Sequence, residues 1–413
     1  MQPVVVILAG GSGTRFAPFV TNKTMWPIGG LPLIRHTINS VIQGGFRSII
    51  VITNLSNDAY VRGIATQFDG AQIDAHLQKE SNGMDDALNQ IKDVLGNRSI
   101  FVVNGTDVLD VTLFRRVFSE IQSSPHLLVC GRHTDLHLPV GYYVVKDEKV
   151  IMTVEKPNPT ERPSNVMRLV ADYFQDASEF IRLFAQFSDA TNSDNVYEQA
   201  QTILLQQYGA KLIMYDGPWA KLKYPHYVLD VMNIYLDSVK DGTFQRGSNI
   251  HPTAVIEGPV YIDPTARIEA YAVIKGPTYI GKNAIIGNHT LVRQSMIEEG
   301  TTVGFGSEVA RSYVGPDCNL HHTFIGDSVL EKKVNMSWGS VTANLRLDSK
   351  TIRLTLANDT YHDTLRKKFG ACIASNAFLG VGVSTMPGTV IGPFTNIPPH
   401  TVAKGIVIDN KTS

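Results

Sequence analysis

The sequence predicts two architectures in series: an α/β domain over a mostly parallel sheet, then a parallel β-helix. Three observations lead there. Apolar runs of strand length alternate with helix-like stretches through about the first 240 residues. The first run opens straight into a glycine-rich turn. From residue 250 onward, apolar residues recur at intervals of six.

Val4–Leu8, Ser48–Thr53 and Ser99–Asn104 read as buried strands, and the stretches 33–44 and 84–96 between them have helical spacing. Such alternation argues a parallel sheet with helices on both faces. Ligands of these sheets sit at the carboxyl ends of strands, where Gly10 and Asp107 fall. After Leu8 comes Ala9-Gly10-Gly11-Ser12-Gly13-Thr14-Arg15. The glycines let oxyanions approach bare backbone N–H groups, and a guanidinium pairs with phosphate through two parallel bonds. No Gly-Lys-Ser/Thr follows, so this is not a P-loop. Phe16 stands where a dinucleotide fingerprint needs its third glycine. The turn therefore suits a polyphosphate held in some other way.

In the second half Ile256, Ile262, Ile268, Ile274, Ile280, Ile286 and Val292 keep a strict period of six. That period fits neither an isolated helix nor an alternating strand, but it suits coils stacking apolar residues into one core. The phase slips near 297 and returns through Val303, Val309, Val314, Leu320 and Ile325. After an interruption it resumes at Ile373, Leu379, Thr385, Ile391 and Ile397. The predicted boundary lies around Gly242 and Gly247-Ser248, giving domains of 1–242 and 250–413.

Composition narrows the function classes. A net charge of −1 with 18% charged residues gives no general surface for nucleic acid or membrane. There is no apolar run long enough to span a bilayer, and Met1-Gln2-Pro3 lacks the basic start of a leader. Cys130, Cys318 and Cys372 lie far apart without zinc spacing, which suits a reducing cytoplasm.

Leu8 to Arg15, Lys23 and Pro27-Ile28 together resemble the N-terminal signature of sugar-1-phosphate nucleotidyltransferases. The resemblance implies a Rossmann-like nucleotidyltransferase domain acting on an NTP and a sugar-1-phosphate. Leu8, Ala9, Gly10, Gly11 and Gly13 would hold the nucleotide, with Gln78 and Gly83 reading the base. Arg15 and Lys23 would neutralise charge as pyrophosphate leaves. Asp107, in Asn104-Gly105-Thr106-Asp107, would bind Mg²⁺, helped by Asp110. Gly141, Glu155, Lys156 and Glu198 match sugar-phosphate contacts. Three departures stand out: Met84-Asp85 in the base-reading segment, Leu169-Val170-Ala171 in a sugar segment, and Lys221 where the family carries a second metal-binding aspartate.

The Ile-Gly-x-x-x-x unit resembles the left-handed hexapeptide β-helix, whose members are mostly trimeric acyltransferases. Loops that interrupt a solenoid usually carry function. Around the interruption, the chain resembles the acetyltransferase half of bifunctional sugar-phosphate enzymes of the archaeal type. His321 would then be the general base, an imidazole being suited to proton transfer near neutral pH. Asn344 and Lys350 would bind the acetyl acceptor. Arg353 and Arg366-Lys367-Lys368 would meet phosphate or coenzyme A, unless they form a solvated charge run. Phe324 replaces the family's tyrosine. The resemblance implies a cytoplasmic homotrimer that uses Mg²⁺ and acetyl-CoA. It would acetylate an aminosugar-1-phosphate such as glucosamine-1-phosphate, and transfer a nucleotidyl group from UTP or dTTP to the sugar-1-phosphate. Two alternatives stay open: a nucleotidyltransferase whose β-helix serves assembly or regulation, and an idle sugar-nucleotide-binding regulatory subunit.

Overall fold

The computed structural model describes residues 2–80, 82–146, 149–187, 195–239, 249–356 and 361–408. The expected boundary at Gly242 to Ser248 lies outside the described residues. The chain forms two compact units, residues 1–12 with 34–219 and residues 13–33 with 220–413. The short segment 13–33 thus belongs with the second unit, although the sequence runs it through the first.

In the first unit, Val4–Leu8 pairs in parallel with Ser48–Thr53 and with Ile100–Asn104, and Ser48–Thr53 pairs in parallel with Gln72–Leu77. Alternate residues face opposite sides of this sheet. Val4, Val6, Ile50, Ile52, Ile100 and Val102 pack with Ala87, Leu88 and Phe180 of helices on one face. On the other face, Phe101 stacks on Phe46 at 5.4 Å and meets Phe114 of the helix Val111–Glu120 edge-on. The expected 84–96 helix is two short helices, Met84–Asn89 and Lys92–Leu95.

Beyond Ile100–Asn104 the sheet is mostly antiparallel. Val166–Phe174 runs against that strand and against Leu127–His133, and Gly141–Lys146 pairs against Lys149–Glu155. The last two strands are separated by two residues, too few for a parallel crossover. The sheet as a whole is therefore mixed, with one parallel block at the nucleotide-loop end of the sequence and a second parallel pair formed by Leu127–His133 and Lys211–Met214.

The second unit stacks short strands into three parallel sheets of eight, eight and seven strands among the described residues. Ile256 pairs with Ile274, Ile262 with Ile280 and Ile268 with Ile286, each three hexapeptides further on. The phase slip near 297 is a shortening of the coils, Ile280 now pairing with Ile297 and Leu320 with Met336. The inward residues form one continuous buried core from Val260 to Ala403. The ladder then jumps from Leu330 to Ile373, which isolates the insertion between Thr342 and Ala371 and its hairpin Arg353–Thr355 with Tyr361–Asp363. Cys318 and Cys372 are buried within these coils and Cys130 within the sheet of the first unit. None of the three is disulfide-bonded. No helix among the described residues is long and apolar enough to cross a membrane.

Candidate functional site

The four parallel strands of the first unit end level with one another. Ala9 N–H donates to Ile52 O at 2.8 Å, Gly105 N–H to Leu8 O at 2.9 Å and Gln78 N–H to Thr53 O at 2.8 Å. Ala9, Gly10, Gln78 and Asp107 therefore gather along one edge of the sheet. A Cβ at Gly10 would overlap Gln78 Oε1, so any side chain there would displace the Gln78 amide.

Two asparagines hold this loop from below. Asn57, fully buried, donates from Nδ2 to Ala9 O at 2.9 Å and accepts from Asn54 N–H at 2.8 Å. Asn54 Nδ2 reaches Gly11 O at 3.2 Å. Sequence reasoning passed over both. The one signal was their place just after a buried strand, in Asn54-Leu55-Ser56-Asn57.

Gln78 was expected to offer both its donor and its acceptor to a base. Its Nε2 instead donates to Asp86 Oδ2 at 2.8 Å, which also accepts from Gln90. Asp86, next to the departures Met84 and Asp85, thus takes the amide's donor side and leaves Oε1 toward Gly10. Gly83, exposed and at φ 106°, caps the helix Met84–Asn89.

Asp107 is buried and accepts from Asn104 Nδ2 at 3.1 Å. Asp110 was expected to assist it. Its Oδ1 is instead the N-cap of Val111–Glu120, accepting from Thr112 N–H and Oγ1 and from Tyr215 Oη. No cluster of three metal-ligating side chains occurs among the described residues. One buried carboxylate at a strand end still suits Mg²⁺, which is commonly held by one or two carboxylates and completed by phosphate oxygens and water.

The sugar-phosphate candidates surround the strand Val166–Phe174. Glu155 Oε2 lies 2.7 Å from where a Cβ of Gly141 would sit, and Lys156 Nζ lies 3.2 Å from Glu155 Oε1. Glu198, expected to contact the sugar, commits one of its two oxygens within the protein. Its Oε1 pairs with buried Arg168 at 2.6 Å, and Arg168 also pairs with Asp172 at 2.7 Å. Burial pushes the Glu198 carboxyl up against the pull of Arg168. Glu198 Oε2 has no hydrogen-bond partner among the described residues and, with Glu155, borders a cavity of about 340 Å³. Arg168 went unread because its partner Glu198 lies thirty residues away on another element.

In the second unit, Gly13 sits at φ 75° with the Lys23 stem 3.4 Å from where its Cβ would be. Arg15 is exposed on the turn Thr14–Phe16. The two histidines of the coil differ. His322 stacks between Phe305 and Trp338 in an exposed column of rings, and its Nδ1 lies 3.1 Å from Phe305 O. His321 is exposed outside that column. Asp327 accepts from Arg311 Nε and Nη2, both at 2.7 Å, and from Asn344 Nδ2 at 2.6 Å. Arg311 is a further residue the sequence did not flag. Lys350 is exposed on the insertion. Of the basic loop, Arg366 is paired with Asp230 and Arg353 lies 3.9 Å from Asp363, while Lys367 and Lys368 are exposed.

A sheet edge bearing a glycine turn and a carboxylate, followed in the chain by a stacked β-helix, defines a class: nucleotide-handling α/β enzymes with a solenoid appended. More particularly, the chain belongs to the nucleotidyl transferase family, whose model matches residues 4–220. A second model, described as the GMPPB C-terminal domain, matches residues 256–359. Among curated proteins, the chain is 27% identical over 401 residues to the bifunctional protein GlmU of Methanococcus aeolicus, covering 94% of this chain and 91% of that one. It is 26% identical to the bifunctional sugar-1-phosphate nucleotidylyltransferase/acetyltransferase of Sulfurisphaera tokodaii, covering 96% of each. A GlmU of Methanococcus vannielii is 28% identical over 403 residues.

Proposed function

We propose that the chain is a bifunctional enzyme that acetylates an aminosugar-1-phosphate and joins a nucleotidyl group to the sugar-1-phosphate. The observation that carries this reading is the reach of the likeness. Relatives named for both activities match across 94–96% of the chain, not across one half of it.

In the first reaction, an amine of glucosamine-1-phosphate attacks the thioester carbon of acetyl-CoA. His321 takes the ammonium proton as the C–N bond forms, and the C–S bond breaks to release coenzyme A. The accessibility of His321, beside the ring-bound His322, supports that assignment. Asn344 and Lys350 would meet the acceptor. In the second, a sugar phosphate oxygen attacks the α-phosphorus of UTP or dTTP in line, and pyrophosphate leaves. Gly10, Gly11 and Gly13 hold the triphosphate while Arg15 and Lys23 neutralise the charge that develops as pyrophosphate leaves. No covalent enzyme group is needed, so positioning and charge carry the rate. Asp107 would hold Mg²⁺, which supplies further neutralisation of the phosphates. Domains of 1–242 and 250–413, a homotrimer and a cytoplasmic setting belong to the same reading.

A second reading, nucleotidyl transfer alone, is favoured by the match of residues 256–359 to the GMPPB C-terminal domain and by Phe324. A regulatory subunit is favoured by Lys221. One experiment separates all three: pyrophosphate release with Mg²⁺ across NTP and sugar-1-phosphate pairs, with and without acetyl-CoA plus glucosamine-1-phosphate. Release that depends on acetyl-CoA for the amino sugar supports the bifunctional reading. Release with a sugar-1-phosphate but no acetyl transfer supports the second. Binding without any turnover supports the third.

A further inference from the structure

The segment 13–33, which carries Arg15 and Lys23, packs in one unit with the β-helix. Two buried carboxylates of that helix grip its backbone. Glu298 accepts Gly29 N–H and Gly30 N–H, one on each oxygen, both at 2.9 Å. Glu331 accepts Thr21 N–H at 2.7 Å and Val20 N–H at 3.2 Å, and its other oxygen accepts Ser375 N–H at 2.9 Å. Both side chains are about 2% exposed or less. Between these grips, Tyr313 Oη donates to Pro27 O at 2.8 Å. The Tyr313 ring lies 5.4 Å from that of Trp26, which packs on Phe16 and Phe19.

A buried carboxylate is costly unless hydrogen-bonded, so its presence in the coils calls for a reason. Each accepts backbone N–H groups of the same short segment, Glu331 also accepting one from Ser375 of the coils. From these contacts we infer that Glu298, Glu331 and Tyr313 are positioning residues for nucleotidyl transfer, fixing from the β-helix the segment that presents Arg15 and Lys23. This rests on the nucleotidyl-transfer reading above. It gives the β-helix a part in nucleotidyl transfer that is independent of acetyl transfer.

The test uses the full chain with Glu298→Gln, Glu331→Gln and Tyr313→Phe. A glutamine keeps the shape but turns one acceptor into a donor facing an N–H, and the phenylalanine keeps the ring. Hydrogen exchange across 13–33, pyrophosphate-release kinetics and acetyl transfer are read on the same preparations. Faster exchange confined to that segment is expected, with kcat for nucleotidyl transfer down about tenfold in the glutamine variants, since small misplacements cost rate. The loss for Tyr313→Phe is expected to be a few-fold. KM for the NTP should stay within about twofold, because Arg15 and Lys23 act on charge that develops in the transition state. Acetyl transfer should not change. Unmoved exchange and kcat, or both activities falling in proportion, would overturn the inference. A wild-type chain that acetylates but never releases pyrophosphate overturns the underlying reading and the positioning role with it, while the exchange data still report whether the carboxylates hold the segment.

Discussion

At the scale of single residues, two side chains separate chemistry from scaffolding. His321 stands clear of the ring column that occupies His322. Removing a positioned base typically costs 10²–10⁴ in rate. His321→Ala is therefore expected to lower acetyl transfer by about 100-fold or more and to leave pyrophosphate release intact, whereas His322→Ala should change acetyl transfer little. An equal loss in both variants would reassign the base. Asn57 is the opposite case, a buried amide with a structural task beneath the glycine turn. Asn57→Ala leaves buried backbone groups unpaired, at a cost of about 1–3 kcal/mol. Urea unfolding should show that loss, and KM for the NTP should rise with it. Gly10, Asp107 and His321 could be singled out as candidates in the sequence because a local motif contains each of them. Asn57, Arg168 and Glu298 could not, since each is explained by a partner that the fold alone brings near.

At the scale of elements, period and turn chemistry told most of the story. The hexapeptide register was readable wherever the spacing held, and even its slip proved to be shortened coils rather than a break. Three of the parallel strands were readable from their apolar runs, whereas Gln72–Leu77 interleaves polar residues and went unread. The antiparallel half of the sheet was not, because the strands Gly141–Lys146 and Val166–Phe174 mix polar and apolar residues around a buried ion triad. Asp110 shows how one residue type can serve two elements' needs. Read as a neighbour of the metal aspartate, it caps the helix Val111–Glu120. Loss of an N-cap costs about 1 kcal/mol. Asp110→Ala should lower stability by that amount while nucleotidyl transfer keeps its Mg²⁺ dependence. A rise in the Mg²⁺ concentration needed for half-maximal rate would instead return Asp110 to the metal.

At the scale of the whole molecule, the pH dependence of stability reports buried groups that no local motif reveals. Burial pushes the Glu298 carboxyl up to about 7, with the nearby Glu299 adding to the rise and the Gly29 and Gly30 amides opposing it. Tyr279, Tyr235 and Tyr313 face the same carboxyl, and Glu298 in turn raises each of their phenols. A folded-state value above the unfolded one means that the native state binds the extra proton. Glu298 therefore makes stability fall as pH rises from about 4.5 to 7. His226 acts in the other direction. It is fully buried, neither ring nitrogen has a hydrogen-bond partner among the described residues, and burial holds it well below the usual histidine value, with His362 and Arg366 adding to the effect. The unfolded state then binds the extra proton, so His226 makes stability rise with pH up to about 6.5. Between pH 5 and 6.5 the two slopes offset each other. Glu298→Gln should expose the His226 slope, so that unfolding free energy measured by urea gains about 1.4 kcal/mol per pH unit relative to wild type. His226→Leu should shift the slope by a similar amount in the opposite sense. Parallel pH profiles for wild type and Glu298→Gln would mean that Glu298 is already ionised across this range, its carboxylate held in the charged form by the two glycine amides.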